Sequence, residues 1–126
     1  MKVYSPLLGV DISTQGKAQV TLPLNPQFEY GVAVLTGAAT VAEHDLTQGF
    51  LLYLGTNRTE ITLDIPEASQ IILIGGEPFA EKIMLYWNFV ARTTEEVREY
   101  IKLWHETDHF GNVEGYDGEP LRSPEL

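Results

Sequence analysis

Three histidines, in a chain without cysteine, bound the metal chemistry open to this sequence. His105 and His109 are four residues apart, a spacing that allows two imidazoles to share a metal on one helix face. Such two-residue patterns are not specific, and His109 lies where the predicted helix ends. His105 can instead interact with carbonyl groups at the helix C-terminus. His44 lies in a polar Glu43-His44-Asp45 segment, which favours an exposed turn residue.

Glu77 follows two glycines and precedes Pro78, so its carboxylate lies where a turn is expected. It can accept backbone amides and hold the turn, or it can act as a general base. The first interpretation is favoured, and the second stays open. No Gly-x-Ser-x-Gly segment is present, which leaves acyl transfer without a nucleophile, and no catalytic residue is assigned.

Tyr86 and Asn88 lie in the aromatic-rich segment from Ile83 to Val90, which is predicted to be a strand. Aromatic side chains at strand spacing usually belong to a core, although they can also line a pocket. A half-buried amide such as Asn88 needs hydrogen-bond partners and is more often a local clamp than a reactive group. Both residues are candidates for a ligand pocket.

Short strands must position these candidates. Residues 17–22 alternate between polar and apolar, which is typical of a half-buried strand, and residues 71–74 are all apolar, which predicts burial on both faces. Other apolar runs predict strands at residues 7–12, 28–35, 50–54 and 60–63, with residues 39–42 pairing back on 28–35 as a hairpin. Short strands separated by glycine and proline indicate a sandwich or barrel.

A single helix is predicted over residues 94–107, and an irregular tail over residues 108–126. Thr93 and Glu96 have the spacing of a capping box, in which each side chain accepts a hydrogen bond from the other residue's amide. An apolar face follows at helical spacing: Val97, Tyr100, Ile101 and Trp104. We expect this face to pack on the outside of the barrel.

The composition of this 126-residue chain, 44% hydrophobic with a net charge of −10, predicts one globular domain with an acidic surface. Such a surface repels phosphate backbones and anionic lipids, so direct binding to nucleic acid or membranes is not expected. The absence of cysteine excludes disulfides and thiolate metal sites. Neither a signal peptide nor a membrane span is recognised at the N-terminus, and we expect a cytoplasmic protein.

The order of these segments resembles the C-terminal cupin domain of the pirin family. The similarity is carried by the opening VYSPLLGVDI, Gly-Gly-Glu-Pro at residues 75–78, Asn-Phe-Val at 88–90, Thr-x-Glu-Glu-Val at 93–97 and the closing HFGNVEGYDGEPL. The resemblance implies one all-β domain over residues 1–126, a cupin-type β-barrel or double-stranded β-helix with one C-terminal α-helix. Pirin proteins normally carry two cupins, and only the second is matched.

Most cupins hold a metal inside the barrel with a His-x-His pair, a glutamate and a later histidine. With the two cupin signatures anchored on Gly37 and Gly49, no ligand position holds an imidazole or a carboxylate. These positions fall on Leu24 and Pro26, or on Pro23 and Asn25, and on Tyr30 and Leu52. We therefore expect no metal and no cofactor. The resemblance implies the same, because pirin-like proteins hold their iron in the N-terminal cupin.

Two main hypotheses follow for the function. The first is a metal-free, non-catalytic binding or interaction module. A lone C-terminal cupin exposes the surface that its partner cupin covers, so a homodimer or a separate pirin-like partner is expected. The second is an enzyme that binds a small aromatic or acidic metabolite near Tyr30 and Leu52, with Glu77 or a histidine as base. Dioxygenase-like chemistry would need a metal-bearing N-terminal cupin.

Overall fold

A computed structural model describes residues 4–126, in which ten β-strands precede one α-helix. The chain divides into two compact units. The first unit ends at Pro78, and the second spans Phe79–Leu126. Within the described residues, no helix is both long and apolar enough to span a bilayer.

The first unit consists of two four-stranded antiparallel sheets. Sheet A has the strand order β1 (Leu7–Thr14), β8 (Ser69–Gly76), β3 (Glu29–Thr36) and β6 (Leu51–Gly55). Sheet B has the strand order β2 (Ala18–Pro23), β7 (Glu60–Ile65), β4 (Ala38–Val41) and β5 (His44–Thr47). The predicted short strands are therefore present, and the half-buried alternation expected for residues 17–22 is confirmed along β2.

The space between the two sheets is filled by aliphatic side chains. One hydrophobic cluster contains side chains from both sheets. Its most deeply buried members include Leu63 of sheet B and four residues of sheet A, namely Val32, Val34, Ile71 and Leu73. Full burial of each such side chain contributes about 1.5–3 kcal/mol relative to exposure. The sandwich is therefore held together mainly by apolar side chains that alternate along its strands.

The predicted hairpin between residues 28–35 and 39–42 is wrong. β4 pairs with β5 and β7 in sheet B, whereas β3 belongs to sheet A. Gly37 has a φ of +79°, and a side chain there would overlap the hydroxyl of Ser69. That hydroxyl accepts a hydrogen bond from the Ala38 amide at 3.1 Å. Because Gly37 permits this close approach, the chain crosses from one sheet to the other.

The prediction that residues 71–74 are buried on both faces is also wrong. Ile71 and Leu73 are buried, but Ile74 is 48% exposed. β8 also continues through Gly75 and Gly76, where a turn was expected. Sheet A packs against sheet B on one face only, so alternate residues of β8 point out of the sandwich. An apolar strand face is left in contact with solvent.

The second unit contains β9 (Met84–Tyr86), β10 (Phe89–Ala91) and α1 (Thr94–Glu106). The single strand predicted from Ile83 to Val90 is instead a hairpin, in which Trp87 and Asn88 form a two-residue loop.

The predicted helix and its capping box are confirmed. The Glu96 amide donates to the Thr93 hydroxyl at 3.2 Å, and the Thr93 amide donates to the Glu96 carboxylate at 3.3 Å. The expectations that residues 1–126 form one domain and that α1 packs on the barrel stay predictions.

Candidate functional site

Two of the five candidate pocket residues lie in the core of the first unit. Tyr30 is 2% exposed, and its hydroxyl accepts a hydrogen bond from the Asn25 amide at 2.8 Å. Its ring lies against Gly75, where a Cβ atom would overlap it. Leu52 is partly buried against the same cluster. Tyr30 and Leu52 thus fill space and stabilise a loop.

Glu77 is exposed at the end of β8, where its backbone amide donates to the Pro6 carbonyl at 3.1 Å. Tyr86 and Asn88 belong to the second unit. The Tyr86 hydroxyl donates to the Glu125 carbonyl at 2.6 Å, and Asn88 lines a cavity. Of the five candidates, only Tyr30 and Leu52 are brought together in one cluster, and only Asn88 lines that cavity.

The interior of the sandwich does not fit the metal that cupins usually hold. Leu24, Tyr30 and Leu52, three of the expected ligand positions, belong to the hydrophobic core or pack against it. Within residues 4–126, no three histidine, aspartate or glutamate side chains are grouped so that they could hold a metal ion. The side chains of Leu24 and Leu52 offer no lone pair to a cation, and the Tyr30 hydroxyl is hydrogen-bonded to the Asn25 backbone. These three positions therefore lack the donor set of a cupin metal site.

Each of the three histidines has a different environment. His44 is exposed at the start of β5. The Nε2 atom of His105 lies 3.2 Å from the Ser123 amide, which donates to it, rather than against helix carbonyls as one interpretation had it. The His109 ring packs edge-on against Phe110, with the ring centres 5.0 Å apart.

The outer face of sheet A is apolar. We define it by six residues whose register places them side by side on neighbouring strands: Leu7, Ala33, Leu51, Tyr53, Ile72 and Ile74. Leu51 is 60% exposed and Tyr53 is 64% exposed. The side chains of Leu51 and Ile74 both lie over Gly31. A Cβ atom placed on Gly31 would be 3.5 Å from Leu51 and 3.6 Å from Ile74. The exposed side chains therefore form a continuous patch.

The few polar groups on this face are paired with one another. The Tyr53 hydroxyl donates to the Glu29 carboxylate at 2.9 Å, and this hydrogen bond raises the pKa of Tyr53 above its ordinary value. The Asp11 carboxylate accepts from Gln70 at 3.3 Å. The polar end of the Tyr53 side chain is thus satisfied at the edge of the apolar patch.

The outer face of sheet B is polar by contrast. Gln19 donates to Asp64 at 2.6 Å, and Thr40 donates to Asp45 at 2.6 Å. Cross-strand pairs of this kind suit a sheet face in contact with water. The two outer faces of one sandwich therefore differ in character, and only that of sheet A is apolar.

A second feature is a cavity of about 550 Å³ in the second unit. Its walls come from the hairpin loop, from the helix and from the tail: Trp87, Asn88, Trp104, Gly111, Asn112, Val113, Tyr116, Gly118, Glu119, Pro120 and Leu121. The indole rings of Trp87 and Trp104 meet at 81°, with centres 5.3 Å apart. The two indole rings therefore form two aromatic walls of the cavity that stand nearly at right angles.

Hydrogen bonds to the hairpin and to the helix attach the tail to the rest of the second unit. The Trp104 indole donates to the Leu121 carbonyl at 2.6 Å, and the Tyr86 hydroxyl donates to the Glu125 carbonyl at 2.6 Å. The Ser123 amide donates to His105 at 3.2 Å. These contacts hold the residues that close the cavity.

The family follows from a comparison of the whole sequence. Residues 9–111 match the Pirin C-terminal cupin domain. This chain belongs to that family. The cupin resemblance predicted from its motifs, and the mostly β fold with one helix, are therefore confirmed.

Relatives of this pirin-type cupin are longer than the chain itself. A Pseudomonas aeruginosa protein, provisionally named quercetin 2,3-dioxygenase, is 34% identical over 126 residues, which are 99% of this chain and 40% of that protein. A crystal structure of quercetin 2,3-dioxygenase from Acinetobacter baumannii superposes with a TM-score of 0.89 at 39% identity, over 100% of this chain and 42% of that one. A second structure of that name from the same organism has a TM-score of 0.78 at 26% identity, over 89% of this chain and 39% of that one. The pirin-type cupin spans about two fifths of the length of these relatives.

The sequence pattern of this pirin-type cupin did not reveal Trp104 as a cavity residue, because Trp104 was assigned to the apolar helix face. Trp87 was assigned mainly to the core, with a place in a pocket left open. The tail was treated as irregular surface. A signal was present, because the chain has only two tryptophans, and they flank the same short hairpin-helix segment. Residues 71–74 were recognised as apolar on both strand faces, but this was taken to mean that both faces are buried. The exposed apolar face of sheet A was therefore not predicted.

Proposed function

We propose that this chain is a non-catalytic interaction module that associates, through the outer face of sheet A, with a second copy of itself. One observation carries the proposal. The outer face of sheet A is apolar and exposed, while the outer face of sheet B is polar and internally hydrogen-bonded. Contiguous exposed apolar surface of this kind usually marks an interaction site.

A second copy is a suitable occupant of this face because of charge. Copies of a chain with a net charge of −10 repel each other, so they associate best where carboxylates are scarce and already paired. On this face, Glu29 and Asp11 are each hydrogen-bonded to a neighbour. A two-fold contact brings the same apolar patch of both copies together, which makes the surface self-complementary.

The size of the face sets the expected strength. Four strands of up to eight residues cover roughly 19 by 26 Å, a footprint of about 500 Å² per copy. Stable interfaces typically bury about 800 Å² per partner, so this face is near the lower limit. We therefore expect a dimer that dissociates in the micromolar range.

Sedimentation equilibrium of the whole chain tests the proposal. Ile74→Lys places a charge at the centre of the patch and should weaken association at least tenfold, because the ammonium group must lose water on dimerisation. Leu85→Lys is the matched control, since Leu85 is 75% exposed on β9 in the second unit. The proposal is wrong if the natural chain is monomeric at several hundred micromolar, or if both variants associate equally well.

The non-catalytic part of the proposal rests on the chemistry of the interior. Of the positions that a cupin would use for metal ligands, Leu24 and Tyr30 belong to the hydrophobic core and Leu52 packs against it. The Tyr30 hydroxyl is hydrogen-bonded to the Asn25 backbone. We expect the chain alone, supplied with Fe²⁺, to consume no oxygen in the presence of quercetin. Turnover at a rate proportional to the concentration of this chain would contradict the proposal.

The names of the relatives favour a second candidate function, a quercetin 2,3-dioxygenase-like activity that this chain supports together with a metal-bearing N-terminal cupin. In that case the outer face of sheet A would bind the other cupin, and adding such a cupin in equimolar amount would dissociate the homodimer.

A cytoplasmic location stays a prediction, which cell fractionation can test.

A further inference from the structure

The cavity of the second unit has the composition of a ligand site. Both tryptophans of the chain line it, together with Tyr116, Val113 and several backbone segments of the tail. A volume of about 550 Å³ is within the range of pockets that hold small organic molecules. The apolar surface is supplied mainly by large, rigid side chains, and Glu119 is the one residue of this lining with an acidic or basic side chain.

The backbone at Trp87 is strained. Its φ is +52°, and it occupies the first position of a two-residue hairpin loop. Asn88 has no positive φ, so the loop has the form in which glycine normally occupies this first position. A tryptophan there is unfavourable by about 1–2 kcal/mol, and such strain is found most often at functional sites. The strained backbone presents an indole ring to the cavity.

The tail is shaped to complete the cavity. Turns at Gly111 and Gly115 have positive φ values of 77° and 76°, which glycine adopts without strain. Tyr116 lies against Gly118, where any side chain would overlap its ring. Because the ends of this loop are attached to Trp104 and Asp108, its conformation is fixed by specific contacts. Hydrogen bonds at both ends therefore hold this wall of the open cavity in place, while the side chains of Val113 and Tyr116 stay 74% and 62% exposed.

The charge of the tail selects the ligand. Residues 108–126 carry five carboxylates and one basic side chain, and these are Asp108, Glu114, Asp117, Glu119, Glu125 and Arg122. The faces of indole rings attract cations, and tryptophan is the most effective side chain in this role. An anionic ligand would meet repulsion from Glu119 and its neighbours, and a neutral one would gain nothing from them.

We propose that this cavity binds a small organic cation, namely an ammonium ion attached to an apolar body such as a benzyl group. The cationic head lies against the indole rings and is balanced by the Glu119 carboxylate, while the apolar body contacts Val113 and Pro120. The proposal is independent of the outer face of sheet A, which belongs to the first unit.

Intrinsic fluorescence is a direct readout, since both emitting indoles line the cavity. The whole chain is titrated with benzyltrimethylammonium, with benzyl alcohol as the neutral comparator and benzoate as the anionic one. We expect saturable changes with the cation, at least tenfold weaker binding of the alcohol, and no response to benzoate.

Two variants of the tail identify the carboxylate. Glu119→Gln should weaken binding of the cation about fivefold or more and leave benzyl alcohol unaffected. Glu114→Gln removes a charge of the same tail that does not line the cavity, and it should have less than a twofold effect. Both side chains are exposed, so neither variant is expected to disturb folding, and circular dichroism checks this.

Three results would overturn the proposal. The first is the absence of any fluorescence change with the cation up to roughly 10 mM, about ten times a dissociation constant of 1 mM. The second is equal or tighter binding of the alcohol or of benzoate. The third is an equal loss in the two glutamate variants, which would indicate attraction to the acidic tail as a whole.

Discussion

At the scale of single residues, Gly75 and Tyr30 show how the core depends on a missing side chain. The Tyr30 ring covers Gly75, and a Cβ atom at this position would overlap the ring. Because Tyr30 is 2% exposed and held through its hydroxyl, the ring has little room to move away. Gly75→Ala should therefore lower the free energy of unfolding by about 2 kcal/mol, as overpacked core variants do.

Urea denaturation at a fixed chain concentration measures this effect, and Gly16→Ala is the matched control. A Cβ atom at Gly16, between β1 and β2, would meet nothing within 4 Å. We expect the control to change the free energy of unfolding by less than about 0.5 kcal/mol, as most surface substitutions do. Equal stability of the two variants would show that the contact between Gly75 and Tyr30 is unimportant.

Single residues also show where the sequence is informative. The Gly-Gly-Glu-Pro segment was assigned to a turn, whereas Gly75 and Gly76 continue β8. Glycine is needed at position 75 because the ring of Tyr30, 45 residues earlier in the sequence, lies against it. A local sequence pattern does not contain that information. Glu77 attracted attention because of its neighbours, whereas the structure leaves its side chain exposed.

At the scale of elements, the helix start rests on a local arrangement. Thr93 accepts from the Glu96 amide and Glu96 accepts from the Thr93 amide, so two amides at the helix start are satisfied. Thr93→Ala should lower the free energy of unfolding by about 1 kcal/mol. Thr94→Ala, one residue inside the helix, is the control and should be close to neutral. Circular dichroism at 222 nm during urea denaturation separates the two, and coincident curves would contradict the prediction.

Elements with local signals were predictable, and elements with distant causes were not. The helix begins at the predicted residue because its cap lies within four residues of sequence. The partner of β4 was missed because the crossing at Gly37 depends on Ser69 of another strand. The hairpin of β9 and β10 was missed because tryptophan stands where a turn of this form normally has glycine. The cavity was missed because its walls are joined by tertiary hydrogen bonds. Trp104 and Tyr86 donate to carbonyl groups of the tail, and His105 accepts from the Ser123 amide.

At the scale of the whole molecule, net charge and the apolar face oppose each other. A net charge of −10 on each copy resists association, while the outer face of sheet A favours it. If the interface is apolar, salt should strengthen the dimer, because ions screen the repulsion between copies without competing for any interfacial ion pair. We expect the dissociation constant to fall at least threefold between 10 mM and 300 mM NaCl in sedimentation equilibrium. Ile74→Lys should stay largely monomeric at both concentrations, and a dimer that salt dissociates would mean that charged groups, rather than this face, hold the copies together.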